Sequence, residues 1–155
     1  MPIVKGYNPE EFDRLLEIND EAYEGIEKPS PEEFGLMMKC AVFVSRAPNN
    51  FYIPRYGYGA IVGFAVVRDQ PICDALPSSV YLWSLAVCKH YRGWGVGGHF
   101  LSRIAEEYKG REIELHVNPD NPAQKLYFDY GFRVEAIARN WYGKNTNGLY
   151  MRRPA

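Results

Sequence analysis

The stretch Val80-Tyr81-Leu82-Trp83-Ser84-Leu85-Ala86-Val87, which runs through Cys88-Lys89-His90 into Tyr91-Arg92-Gly93-Trp94-Gly95-Val96-Gly97-Gly98, decides how this chain is read. Its opening residues are rich in β-branched and aromatic side chains and predict a strand. Gly97 to Tyr108 carries Phe100, Leu101, Ile104 and Ala105 at helical spacing, and Arg111 to Val117 reads as a further strand. Strand, glycine-rich turn, helix and strand therefore form one continuous unit. Glycines in such a turn let main-chain N–H groups approach an anion, and the helix dipole favours negative charge there. The turn is a candidate phosphate cradle, although the same glycines would also serve a plain tight turn. It lacks the Gly-Lys-Ser/Thr of a P-loop, and its glycine spacing fails the dinucleotide fingerprint, which argues against nucleotide hydrolysis and hydride transfer.

Outward from this unit, Asn8-Pro9-Glu10-Glu11 resembles a capped start for an amphipathic helix reaching about Tyr23. Ser30-Pro31-Glu32-Glu33 repeats that chemistry before Phe34, Leu36, Met37 and Met38, so a second short helix is expected. Cys40 to Ser45 and Ala60 to Arg68 read as an antiparallel pair joined by the long connection Ala47 to Gly59. Downstream, a helix after Asn121-Pro122 stops at Tyr130-Gly131, and Phe132 to Ala138 with Leu149 to Arg152 predict a closing hairpin around Lys144 to Gly148. The order implies a mixed α/β layer around one core, in a single domain spanning residues 1–155.

Bulk properties narrow the classes further. Hydrophobic residues at 46% and charged residues at 24% of 155 describe an ordinary globular chain. A formal charge of -1 offers no global field for nucleic acid or an anionic membrane, and neither is expected as a partner. Cys40, Cys73 and Cys88 have neither disulfide-framework nor zinc-ligand spacing, so no metal site is expected. The N-terminus shows no charged lead into an apolar run, and no apolar segment approaches spanning length, so cytoplasmic residence is the expectation.

The stretch from Val80 to Gly98 resembles the acetyl-CoA motif of the GCN5-related N-acetyltransferases, Arg/Gln-x-x-Gly-x-Gly/Ala, with Arg92, Gly95 and Gly97 in its three fixed places. The likeness continues through Asn121-Pro122-Ala123-Gln124-Lys125-Leu126-Tyr127 and Tyr130-Gly131-Phe132, which look like the family's Asn, Ala, Leu-Tyr and Gly-Phe segment. It implies that family's fold, a central and mostly antiparallel sheet flanked by helices, and acetyl-CoA as co-substrate. By the same resemblance Leu85, Ala86 and Val87 would lie along the pantetheine arm. The amides of Arg92, Gly93, Trp94, Gly95, Val96, Gly97 and Gly98 would hold the pyrophosphate. Asn121 would touch CoA, although six residues separate it from Tyr127 where protein N-terminal acetyltransferases usually have seven.

Attack of an amine on a thioester needs a neutral amine, a stabilised oxyanion and a protonated departing thiolate, and no covalent protein nucleophile. The resemblance places Tyr127 where its hydroxyl would serve the CoA sulfur. In Ile113-Glu114-Leu115-His116-Val117, alternation sets Glu114 and His116 on one face, and an imidazole titrating near 6.5 suits a base at neutral pH. Protein N-terminal acetyltransferases of the ribosomal-protein-alanine type are similar at this strand, and Tyr81 matches a tyrosine that one branch uses with that histidine. Asn140-Trp141-Tyr142 resembles the aromatic pair that covers the peptide's N-terminus there, so Tyr81 and Tyr142 are expected to contact the acceptor.

Glu24, within Tyr23-Glu24-Gly25-Ile26-Glu27, would suit a cationic small amine or a charged peptide equally. The leading expectation is acetyl transfer to a protein α-amine by a monomer or homodimer. Two alternatives stand beside it: an acetyltransferase for a polyamine, amino sugar or amino acid, and a non-catalytic acyl-CoA-binding module. The tyrosine-rich loop Phe51 to Tyr58 is either a lid or a connection.

Overall fold

The computed structural model describes residues 1–23, 28–71 and 78–155. Asn8 and Ser30 both form capping boxes, accepting from a first-turn amide while Glu11 and Glu33 reach back to the cap N–H. The Asn8 box opens a 3-10 turn at Pro9–Glu11 that runs into α1 (Phe12–Ala22), and the Ser30 box opens α2 (Pro31–Met37). β2 (Ala41–Arg46) and β5 (Ile61–Arg68) pair antiparallel, and β6 (Val80–Val87) pairs antiparallel with β5. The glycine-rich turn then leads into α3 (Val96–Glu107) and β7 (Ile113–Val117). α4 (Ala123–Asp129) and the hairpin of β8 (Arg133–Ala138) with β9 (Gly148–Arg153) complete the described elements.

Two features go beyond the sequence reading. A strand β1 (Ile3–Lys5) pairs with β2 and precedes both helices. Inside the tyrosine-rich connection, β3 (Tyr52–Ile53) and β4 (Gly57–Tyr58) form a small hairpin of their own. The rings of Tyr52 and Tyr58 meet edge-on across it, and Arg14 lies 4.6 Å from the Tyr56 ring, so this segment is tied to α1.

The main sheet has seven strands in the order β1-β2-β5-β6-β7-β9-β8, and β6 with β7 is its parallel pair. β5 is buried on both faces, which explains its unbroken Ile-Val-Gly-Phe-Ala-Val-Val run. Phe64 and Val66 pack with Leu15, Ile18 and Phe34 of α1 and α2 on one face. Ala65 and Val67 pack with Phe100, Leu101 and Ile104 of α3 on the other.

Two irregularities of β6 shape the functional region. The β5–β6 register shifts between Val66 and Val67, which pair with Ser84 and Leu82, so Trp83 is the extra residue of a bulge. The bulge re-phases the strand: Val80 and Leu82 before it, and Leu85 after it, all turn toward α3. On its other edge β6 meets β7 only at Val80↔Ile113 and Tyr81↔Glu114, while Leu115, His116 and Val117 pair with β9 alone. The two strands therefore separate, and a wedge opens between Leu82–Val87 and Leu115–Val117.

Phe64 is fully buried and its ring meets Phe34 at 5.8 Å. Phe64→Ala is expected to lower the unfolding free energy by about 3–5 kcal/mol in a urea titration followed by circular dichroism; a loss below about 1 kcal/mol would contradict this placement of the core.

Candidate active site

The wedge between β6 and β7 is a cleft lined on one side by Trp83, Ser84 and Leu85 and on the other by Leu115, His116 and Val117. Tyr127 closes it from α4, Asn121 lies on its α4 side, and Tyr23 and Tyr142 wall its mouth. Beyond Tyr81 the β7-facing edge of β6 has no strand partner among the described residues. A backbone edge of this kind pairs readily with an extended amide chain.

At the end of β6, Arg92 folds back so that its Nε donates to the Val87 carbonyl at 2.9 Å, which closes the strand-to-helix turn. Gly93 and Gly95 both have φ of +80°, a conformation that a side chain would strain. The first bond of α3 runs from His99 N to Gly95 O at 3.1 Å, so the amides of Val96, Gly97 and Gly98 lack intrahelical acceptors. Val96 itself points into the core, so it can offer a ligand only its backbone. Trp94 stands 66% exposed on the turn.

Gly97 and Gly98 also serve packing. A Cβ on Gly98 would come within 2.3 Å of the Tyr130 hydroxyl, and one on Gly97 within 2.8 Å of Leu126. These close approaches bring the end of α4 against the start of α3. The turn thus has the form of an anion cradle at a helix N-terminus, continuous with the free strand edge, and it fits a ligand carrying a pyrophosphate and an amide-containing arm.

Of the three acid–base candidates, Tyr127 packs on the α3 side of the sheet, and Tyr81 and His116 meet each other. Tyr81 Oη and His116 Nδ1 are 2.8 Å apart. The Trp141 ring stacks on the imidazole at 3.6 Å with planes 9° apart. Trp141 is seated in turn over Gly148, where a Cβ would meet its side chain at 3.0–3.2 Å. Below His116, the fully buried Glu114 accepts from Tyr150 Oη at 2.6 Å and from Ser79 Oγ at 2.9 Å. The alternation of Glu114 and His116 expected from sequence is therefore present, and Tyr81, Tyr150 and Trp141 complete the cluster.

Burial sets the proton inventory. It pushes the His116 imidazole down to about 4, against a weaker opposing pull from Glu114, so the ring is neutral at physiological pH. Burial raises the hydroxyl of Tyr81, with Tyr142, Tyr23 and Glu114 adding to the effect. Tyr127 is raised by burial and by Tyr23, and Tyr142 by burial, Tyr23 and Tyr127. The tyrosines of the cleft consequently hold their protons, and the cleft carries proton donors beside one neutral imidazole.

The remaining expected site residues divide. Tyr142 and Leu85 line the cleft, whereas Ala86 is buried toward α1. Asn121 borders the cleft, but its side-chain oxygen is engaged locally, accepting from Ala123 N at 2.9 Å at the start of α4. Glu24 lies outside the described residues. Tyr23, Trp83 and Tyr150 were missed by the sequence reading, as was the stack of Trp141 on His116; the Trp83 position depends on the bulge, which no local pattern announces.

Comparisons with known proteins define the family and the fold. A family model described as Acetyltransferase (GNAT) family matches residues 12–132. A [ribosomal protein bS18]-alanine N-acetyltransferase of Haemophilus influenzae is 25% identical over 151 residues, covering 96% of this chain and 92% of that protein. Among solved structures, the fold matches a ribosomal-protein-alanine N-acetyltransferase from Brucella melitensis with a TM-score of 0.77 at 19% identity, covering all of both chains. It also matches Arabidopsis thaliana NAA60 in complex with a bisubstrate analogue, with a TM-score of 0.77 at 19% identity and 99% of each chain covered. The chain belongs to the GNAT family of acetyltransferases and is an acetyl-CoA-dependent N-acyltransferase. Among the described residues no helix is long and apolar enough to cross a membrane.

His116 binds its proton less readily folded than unfolded, so between about 6.5 and about 4 the unfolded chain takes up the extra proton and stability falls as pH falls. His116→Gln is expected to flatten that part of the stability-versus-pH curve. An NMR titration of His116 with a midpoint near 6.5 would contradict the burial account.

Proposed function

We propose that the acceptor is a protein or peptide α-amine, and that its acetylation proceeds by direct attack on the thioester with the Tyr81–His116 pair as base and Tyr127 as acid. The observation that carries this reading is the 2.8 Å bond from the buried Tyr81 Oη to Nδ1 of His116, whose ring lines a narrow slot walled by Tyr23, Trp83 and Tyr142. The slot admits the slim end of an extended chain. The relative from Haemophilus influenzae is named for a protein alanine N-terminus, which supports the same acceptor class.

The weak basicity of His116 fits that class. An α-amine has a pKa near 7.7–8.0 and is roughly a third neutral at pH 7.5, whereas a lysine-like amine near 10.4 is neutral in only about one molecule in a thousand. An α-amine thus arrives ready to attack, and its nitrogen becomes strongly acidic once the C–N bond forms. A poor base is then sufficient. With the Tyr81 hydroxyl donating to Nδ1, the tyrosine oxygen takes the amine proton as its own passes to the imidazole. Tyr127, held protonated by burial, supplies a proton to the departing CoA sulfur.

In this reading the co-substrate's pantetheine arm lies along Leu85 to Val87, with Asn121 bordering its path, and its pyrophosphate rests on the amides between Arg92 and Gly98. The alternative of a small polycationic acceptor has less support, because no carboxylate stands among the described residues that line the slot.

CoA release should occur with short free-amine peptides and vanish when their N-terminus is blocked. Turnover with spermidine or aminoglycosides alone would overturn the α-amine reading while leaving the co-substrate site intact. Tyr127→Phe and His116→Gln should each lower kcat by about 10²-fold or more. CoA affinity should stay within a few-fold of the parent chain in both variants, whereas Gly95→Asp should abolish CoA binding through strain at a positive φ and charge repulsion.

A further inference from the structure

Beyond the slot, the surface opens into a second cavity of about 430 Å³ between α2, the bulge of β6 and the β8–β9 loop. Tyr23, Trp83 and Tyr142 line both cavities, so the two adjoin. The wider one has walls of Leu36, Met37, Trp83, Trp141 and Tyr142, with Pro29 at its rim. Three of these are large apolar side chains left open to solvent: Leu36 at 60%, Trp141 at 44% and Trp83 at 38% exposure. Apolar surface gathered around a concave mouth marks a binding site more strongly than the same residues scattered would.

The charged residues of this wall are already engaged. Lys28 Nζ lies 3.0 Å from Asp20 Oδ2, and Glu33 accepts from Ser30 N at 2.7 Å in the capping box of α2. Among the described residues, a guest entering here meets aromatic rings, a thioether and an aliphatic side chain, while Lys28 and Glu33 are engaged within the fold.

We infer that this cavity is the side-chain subsite of the acceptor and that it selects chains with a large uncharged apolar residue, such as leucine or phenylalanine, at one of the first two positions. The inference rests on the α-amine reading above. A chain whose amine sits at Tyr81 and His116 must leave through the slot, and consecutive Cα atoms are about 3.8 Å apart, so its first side chains enter the wider cavity. Seating a leucine or phenylalanine there removes apolar surface of both guest and wall from water. A lysine or glutamate would lose hydration without gaining an unengaged charge among the described lining residues.

The test is a set of peptides identical after their second residue and carrying Leu, Phe, Ser, Lys or Glu at the first or second position. The Leu and Phe peptides are expected to exceed the Ser, Lys and Glu peptides by roughly 10- to 100-fold in kcat/KM. Leu36→Lys, on an exposed position of α2, should narrow that gap and favour the Glu peptide relative to the Lys peptide. The thermal midpoint and CoA affinity of that variant report separately on folding and on the co-substrate site. Equal rates across the set, or faster turnover of a charged peptide by the parent chain, would overturn the subsite while sparing the α-amine reading. Failure of every peptide alongside turnover of small amines would overturn both.

Discussion

The early separation of β6 from β7 is the constraint on which the rest depends. Parallel pairing lasts only from Val80↔Ile113 to Tyr81↔Glu114, after which β7 leans on β9 and β6 on β5. A sheet that stayed closed here would satisfy every backbone group and leave no room for a ligand. Once open, it offers an unpaired strand edge, the start of α3 and the inner face of β7 within one cleft. The bulge at Trp83 acts on the same strand: it turns an indole into the wider cavity beside α2 while keeping Leu82 and Leu85 against α3.

The second organising force is desolvation. Aromatic residues crowd the cleft, so each ionisable group there is held in its uncharged form: the imidazole loses basicity and the hydroxyls lose acidity. The 2.8 Å bond between Tyr81 and His116 thus joins two uncharged groups. The buried carboxyl group beneath His116, that of Glu114, accepts from Ser79 and Tyr150. That network fixes the floor beneath His116, while the stack with Trp141 fixes the ring from the side.

Much of this architecture was legible in the residues. The capping boxes at Asn8 and Ser30, the unbroken apolar run of β5, the glycine turn and the alternation of Glu114 with His116 are local patterns, and each appears where local physics puts it. What was not legible depends on pairing between distant strands. β1 is only three residues long and gains its identity from β2, and the β3–β4 hairpin rests on two pairs. Strict alternation would set Tyr81, Trp83 and Leu85 on one face, and only the register with β5 reveals the inserted residue. The Trp141 stack likewise needs the clearance over Gly148, a tertiary fact.

The most direct test of the account is hydrogen exchange of the chain with and without acetyl-CoA, read peptide by peptide. If the open edge of β6 and the turn before α3 hold the co-substrate, protection will rise in the segments covering Leu82–Val87 and Gly93–Gly98 and will change little in β2, β8 and β9. Binding that leaves those two segments unprotected, with protection gained elsewhere, would contradict the claim that the separation of β6 from β7 builds the site.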